Sequence, residues 1–232
     1  MDLYWLSRRL EEVPEGDDWL NAAERAIAAG KVFSKRRDDW KLGRWTAKQA
    51  VCAYLSIFPD LPSLASVEIR GAPDGAPEPF VRDQRLPVSL SISHSARTSL
   101  CALGPPDSGV GCDLELIQPL IDNFVEDYFV AQEAALVEGV SSDERAAFAL
   151  LIWSAKESAL KSLREGLRRD TRTVIVSFDR NRAKAGWNPL LVRCAITSRM
   201  FHGWWQITGG FVKTITAAQP IAEPVEIQLP QY

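Results

Sequence analysis

Residues 109–116, Gly-Val-Gly-Cys-Asp-Leu-Glu-Leu, alternate strictly: Val110, Cys112, Leu114 and Leu116 against Gly109, Gly111, Asp113 and Glu115. A period of two marks a strand, whose alternate side chains share a face. Asp113 and Glu115 therefore point the same way, about 7 Å apart at a rise of roughly 3.3 Å per residue. The glycines leave that face open to close approach. Two carboxylates on one open face repel unless a cation lies between them. A hard, oxygen-seeking divalent ion such as Mg²⁺ suits them. An isolated Asp-x-Glu is equally a pair of solvated acids, so the rest of the chain decides.

The chain has length for a sizeable core, as one domain or two small ones: 232 residues, 46% hydrophobic and 25% charged. A net charge of −3 gives no global pull toward nucleic acid or an anionic membrane, so neither is expected as a partner. Cys52, Cys101, Cys112 and Cys194 lack close-paired metal spacing and fit reduced, packed thiols of a cytoplasmic protein. The first residues do not form a basic-then-apolar leader, and no apolar run approaches the ~20 residues of a membrane span. Eight tryptophans indicate either a well-filled core or a docking surface.

In chain order, Leu3 to Ser7 reads as a strand. Asp17-Asp18 can cap a helix over Trp19 to Ala29, and a longer basic helix follows from Lys35 to Phe58, ended by Pro59. Arg44 and Lys48 are four apart and share a face of that helix. Val67 to Arg70 is a short strand before a turn-rich stretch. Val88 to Ser93 alternates apolar residues with serines, as a half-buried strand does, and Ser99 to Leu103 is its hairpin partner. With the carboxylate strand these make a three-stranded meander, His94 near its rim.

Beyond Pro119, short amphipathic helices fill Leu120 to Val140. Ser141-Ser-Asp-Glu144 is a capping box opening a helix that Gly166 can stop. Along it Leu150, Trp153, Glu157, Lys161 and Arg164 share one face, apolar first and then ionic, as if emerging beside a cleft. Strand-like runs follow at 172–178, 190–197, 203–208 and 211–218, with Gly209-Gly210 as a hairpin turn, then an irregular tail from Gln219. Each half holds a helix followed by antiparallel strands, a coarse repeat without residue-level identity.

Asp113, Glu115 and Glu157 are candidate metal oxygens, with Lys161 one turn beyond Glu157; Arg44, Lys48 and His94 are candidate phosphate partners. Such a set suits attack at phosphorus: a metal and cations neutralise oxygens while a carboxylate accepts a proton. A P-loop is absent, and Ser93-His94 without a Gly-x-Ser-x-Gly elbow makes a Ser/His/Asp hydrolase unattractive.

The ordered set Ser93-His94-Ser95, Val110-Gly-Cys-Asp-Leu-Glu115 and Trp153-Ser-Ala-Lys-Glu-Ser158 with Lys161 resembles the 4′-phosphopantetheinyl transferases. The resemblance is to the monomeric Sfp-type, which activates nonribosomal peptide and polyketide synthases. Gly43-Arg44 is a looser fourth match, and the signatures span about residues 35 to 170. The resemblance implies an α+β, pseudo-two-fold fold of two similar subdomains with antiparallel sheets, divided here as 1–116 and 117–232. It implies a cytoplasmic monomer that moves the 4′-phosphopantetheine arm of coenzyme A onto a serine of an apo acyl or peptidyl carrier protein. Adenosine 3′,5′-bisphosphate is released. On this reading Asp113, Glu115 and Glu157 hold Mg²⁺, or Mn²⁺, against the pyrophosphate. Glu157 takes the serine proton, Lys161 steadies the leaving phosphate, Ser93 and His94 contact phosphates, and Arg44 with Lys48 meets the adenosine end.

Two positions depart from the family's pattern. Its Gly-Lys-Pro turn is Gly75-Ala76-Pro77 here, so that cation's contact is absent or comes from elsewhere, with Arg82 and Arg85 as candidates, and Trp45 stands where some relatives have a small hydroxyl residue. The stretch Ile117 to Val130, with Leu120, Phe124 and Phe129 as anchors, is the expected carrier surface. The rival readings are a metal-dependent phosphodiesterase or nuclease, and a coenzyme A-binding regulator without catalysis.

Overall fold

The computed structural model describes residues 1–57, 60–164, 169–179 and 183–229. Two edge-on sheets, each carrying one long helix, form the molecule. The first sheet has strand order β12-β1-β6-β5, built from β1 (Tyr4–Arg9), β5 (Ser89–Ser95), β6 (Thr98–Gly104) and the two-residue β12 (Val225–Glu226). The second has order β7-β11-β10-β9-β8, from β7 (Gly111–Leu116), β8 (Val174–Ser177), β9 (Asn188–Cys194), β10 (Met200–Thr208) and β11 (Phe211–Ala217). A small third sheet joins β2 (Val67–Gly71), β3 (Pro77–Val81) and β4 (Gln84–Arg85).

Three apolar clusters hold these layers together. Leu6, Leu90, Cys101 and Leu103 pack under helix α2 (Ser34–Tyr54), and Val192, Phe201, Trp205 and Val212 pack under helix α6 (Ser142–Ser162). The alternate residues Trp5, Leu100, Ala102, Cys112, Leu114 and Ile215 meet between the two sheets. Five of the eight tryptophans (Trp5, Trp19, Trp45, Trp187, Trp205) are buried, so these rings fill the core. All four cysteines are buried free thiols.

Several expectations shift. The first helix, α1 (Ala22–Ala29), starts later than Trp19 and is capped by Asn21, not Asp17-Asp18. Helix α2 stops at Tyr54; the Phe58-Pro59 step expected to end it, like Gly166 after α6, lies outside the described residues. Ser141 does precede α6, but its hydroxyl binds the Glu144 carboxylate and not a backbone N–H. The tail is not wholly irregular, since Val225–Glu226 returns to pair in parallel with Tyr4 and Trp5. The carboxylate strand β7 does not continue the β5–β6 meander. It pairs antiparallel with β11, Asp113 opposite Thr214. By sheet membership β7 thus lies with β8–β11 and not with β1, β5 and β6.

The expected repeat exists, and its residue-level trace is a pair of buried ion pairs. Glu24 caps α1 and Glu133 caps α5 (Ala131–Glu138); each sits at the third helical position and returns a carboxylate oxygen to its N-cap N–H. Their other oxygens accept the N–H groups of Ile69 and Val176, in β2 and β8. Lys48 in α2 pairs with Glu24, and Lys156 in α6 pairs with Glu133. Each ammonium also donates to two carbonyls: Trp19 and Leu64 for Lys48, Thr171 and Val174 for Lys156. The glutamates are 109 residues apart and the lysines 108. A buried charge persists only when paired and hydrogen-bonded, so this device is demanding and is met twice.

Candidate active site

The acids converge because α6 lies directly on β7. A Cβ at Gly111 would overlap the Ser158 carbonyl oxygen, so only glycine lets the helix come this close. The open face inferred for Gly109 and Gly111 is thus filled by helix at 111. This contact brings the Lys161 ammonium to 2.7 Å from Asp113 Oδ1, with a second bond to the Cys112 carbonyl at 3.0 Å. It also brings the Trp153 indole N–H to Glu115 Oε1, at 3.0 Å.

Crowding three acids under partial cover changes their chemistry. Burial, then the charge of Asp113, pushes Glu115 up to about 7. The same two causes push Glu157 up to about 7. Burial opposes the charge on Lys161, but Asp113 beneath it prevails and holds the ammonium above its ordinary value. Asp113 Oδ2 and Glu157 Oε1 are buried without a hydrogen-bond partner. Such orphaned oxygens are costly unless something positive meets them. Among the described residues no group of three or more acidic, histidine or cysteine side chains is placed to hold a metal ion as the side chains stand. Asp113 Oδ2 and Glu157 Oε1, neither bonded to Lys161 or Ser93, are nonetheless hard oxygen donors of the kind a divalent ion takes.

The Ser-His-Ser stretch does something other than expected. β5 and β7 are both edge strands, and serine side chains join them where no backbone ladder does. Ser91 Oγ accepts the Cys112 N–H, Ser93 Oγ donates to Asp113 Oδ1 at 2.8 Å, and Ser95 Oγ accepts the Leu116 N–H. The serine face of β5 is therefore a seam between the halves and not a solvated surface. Ser93, expected at a phosphate, is bonded to Asp113 in this structure and helps orient it.

His94 remains half exposed, 3.8 Å from Asp39, and lines a cavity of about 400 Å³ with Lys31, Arg36, Trp40 and Arg44. Arg44 stacks on Trp40 with 4.9 Å to the ring centroid; burial lowers its proton affinity, and its Nε lacks a partner. Three cations, a histidine and an indole around one hollow suit a phosphorylated, aromatic ligand. Sequence reasoning assigned neither Lys31 nor Arg36 to the site; Arg36 lies in the basic first turn of α2, and Lys31 precedes that helix by three residues. Trp45 turns into the core against Trp19 and does not line this cavity.

Lys48 is corrected outright. It is fully buried and bound to Glu24, so sharing a helix face with Arg44 does not bring it to the ligand side. Phe129 is likewise a core residue, 5% exposed, while Leu120 and Phe124 are partly buried against the same cluster. Phe124 stacks among Tyr128, Phe129 and Trp153.

A second cavity of about 250 Å³ opens beside Lys161 and shares Gly75, Pro77 and Ile92 with the first. Arg85 lines it, whereas Arg82 lines neither cavity. No helix among the described residues is long and apolar enough to cross a membrane.

Fold and site together give an α+β protein in which an acid–lysine cluster lies near a hollow lined by three cations and a histidine. Comparison with known proteins gives a match to the family model described as the 4′-phosphopantetheinyl transferase superfamily, over residues 109–212, the stretch that carries Asp113, Glu115, Glu157 and Lys161. Similar proteins include the 4′-phosphopantetheinyl transferase HetI of Nostoc sp., 25% identical over 152 residues, which are 64% of this chain and 61% of HetI. Another is slr0495 of Synechocystis sp., provisionally named a 4′-phosphopantetheinyl transferase, 29% identical over 119 residues, 50% of this chain and 47% of that protein. The matched stretch thus spans less than two thirds of either relative.

Proposed function

We propose that this protein transfers the 4′-phosphopantetheine arm of coenzyme A to a serine of an apo acyl or peptidyl carrier protein. The reading follows the monomeric Sfp-type enzymes, in the cytoplasm, with adenosine 3′,5′-bisphosphate released. The observation that carries it is the Lys161–Asp113 ion pair whose charges also act on Glu157, two carboxylate oxygens left unpartnered, and Lys161 in a cavity that shares Gly75, Pro77 and Ile92 with the Arg44–His94 hollow.

Asp113, Glu115 and Glu157 would hold Mg²⁺, or Mn²⁺, which supplies charge neutralisation at the pyrophosphate. Lys31, Arg36, Arg44 and His94 would take the adenosine end and its phosphate. Glu157, pushed up to about 7, is poised to accept the proton of the carrier serine near neutral pH. The serine oxygen bonds to the β-phosphorus as the bond to the leaving phosphate breaks. Lys161, held protonated by Asp113, steadies that leaving oxygen. Ser93 and Trp153 act through their neighbours, fixing Asp113 and Glu115.

The test is to incubate the protein with coenzyme A, Mg²⁺ and apo carrier and to weigh the carrier. A gain of one phosphopantetheine arm, lost in Glu157→Ala, is expected. Absence of gain across several carrier types, with cleavage of a nucleic acid instead, would turn the assignment to a nuclease. Tight coenzyme A binding indifferent to Glu157→Ala and without transfer would turn it to a regulator.

A further inference from the structure

The two acids of β7 are each met by one donor from α6. Trp153, Glu157 and Lys161 stand four residues apart and share one face of that helix. Trp153 Nε1 donates to Glu115 Oε1 at 3.0 Å, and Lys161 Nζ donates to Asp113 Oδ1 at 2.7 Å. Glu157 lies between the two donors along the helix. Each donor thus occupies one oxygen of a β7 acid. Lys161 is anchored a second time, on the Cys112 carbonyl at 3.0 Å. The indole has a single N–H and already spends it on Glu115, so packing alone can fix its orientation.

That packing comes from a separate element, the five-residue helix α4 (Phe124–Tyr128). It opens at Asn123, at φ +60°, without a side-chain cap, and is too short to stand by itself. Its rings close on the indole. Tyr128 lies 4.8 Å from Trp153 between centroids at 62°, and Phe124 lies 5.5 Å away at 63°. Phe124 and Tyr128 also meet each other at 5.2 Å. Edge-on ring pairs of this kind favour one mutual orientation. The Thr171 hydroxyl donates to the Tyr128 carbonyl at 3.2 Å and ties down the end of the turn. We propose that Tyr128 is a positioning residue of the acid cluster. By fixing the Trp153 indole it fixes Glu115 Oε1, so that Oε2 is the oxygen offered to a divalent ion. A turned indole would withdraw its N–H and leave the carboxylate free to rotate away from Asp113 and Glu157. This inference rests on the reading of Asp113, Glu115 and Glu157 as ion ligands given above.

The experiment titrates Mn²⁺ into the whole protein, with and without coenzyme A and in the absence of carrier, and reads free ion by electron paramagnetic resonance. Tyr128→Ala should weaken Mn²⁺ binding by roughly tenfold, as loss of a group that orients a metal-binding side chain does. Trp153→Phe keeps a ring but lacks the N–H, and should lose a similar factor. Tyr128→Phe should keep the wild-type affinity. In Trp153→Phe, adding Tyr128→Ala should weaken binding little further, because the N–H it positions is already gone. A general loosening of the fold would not give that non-additivity. If Trp153→Phe does not fold, Tyr128→Ala against Tyr128→Phe decides. Mn²⁺ bound by the wild type and equally well by Tyr128→Ala, or full additivity of the two changes, overturns the inference and leaves the functional reading standing. A wild type that binds no Mn²⁺ in either condition overturns the reading of the three acids, and the inference with it.

Discussion

Gly111 and Ser158 touch backbone to backbone, and any side-chain carbon at 111 would overlap the Ser158 carbonyl oxygen and crowd Ser162. Everything catalytic in the proposed site depends on that approach. Ser158 follows Glu157 and precedes Lys161 by less than one turn, so the distance of α6 from β7 sets the distance of both from Asp113.

Gly111→Ala should therefore damage the site without touching any charged group. Over-packing at a closed contact costs about 1–3 kcal/mol. Thermal unfolding should show a fall of several degrees, and carrier modification should fall much more than stability does. Wild-type activity in this variant would mean that α6 can shift freely and that its seat on β7 does not position the acids.

Lys48 and Lys156 should behave alike, although only one lies beside the family-matched helix face. Burial draws both ammonium groups below their ordinary value, and a buried glutamate opposes this in each. Removing one partner of a buried pair leaves an uncompensated charge, at about 3–5 kcal/mol. Lys48→Met and Lys156→Met should each lower Tm by a similar amount. Coenzyme A affinity of the folded fraction, measured by calorimetry below Tm, should stay unchanged in Lys48→Met. A selective loss of affinity there would restore Lys48 to the ligand site.

These two lysines show why sequence reading stops where it does. Spacing put Arg44 and Lys48 on one helix face, but one turn along α2 the cover changes from hollow to core, and periodicity carries no depth. The internal repeat was visible as rhythm only, because its conserved chemistry is one glutamate and one lysine per half, far apart in sequence. Asp113 and Glu115 were legible because alternation is local. The partner of their strand was not, since β11 lies about a hundred residues on. For Gly111 the sequence announced a close approach without saying that a helix makes it. Alternation reads β5 as a half-buried strand but does not say what its serines meet. Here they face an edge strand of the other half.

Phe124 and Phe129 separate packing from partner binding. Phe129 lies in the C-terminal core, with Lys156 5.8 Å from its ring centroid. Phe129→Ala should cost about 3–5 kcal/mol and show first as a lower Tm. Phe124 is only partly buried, next to exposed Ile121. Phe124→Ala should raise KM for the carrier several-fold while coenzyme A binding is retained. Equal loss of stability in both variants would remove the segment from the carrier surface.

Proton binding should reveal the acid cluster before any activity is measured. Glu115 and Glu157 are both pushed from 4.5 up to about 7 in the folded protein, by burial and then by the charge of Asp113. Between those values the folded state holds protons that the unfolded chain has lost, so stability must fall as pH rises through this window. With EDTA present, Tm should decline from about pH 5 to about pH 8. Glu157→Gln should flatten much of that decline. Excess Mg²⁺ should raise Tm most at the alkaline end, where the carboxylates are free to meet it. A Tm profile that is flat in EDTA, or a Mg²⁺ effect that is equal at both ends, would show that the three acids do not act as one cation-seeking cluster.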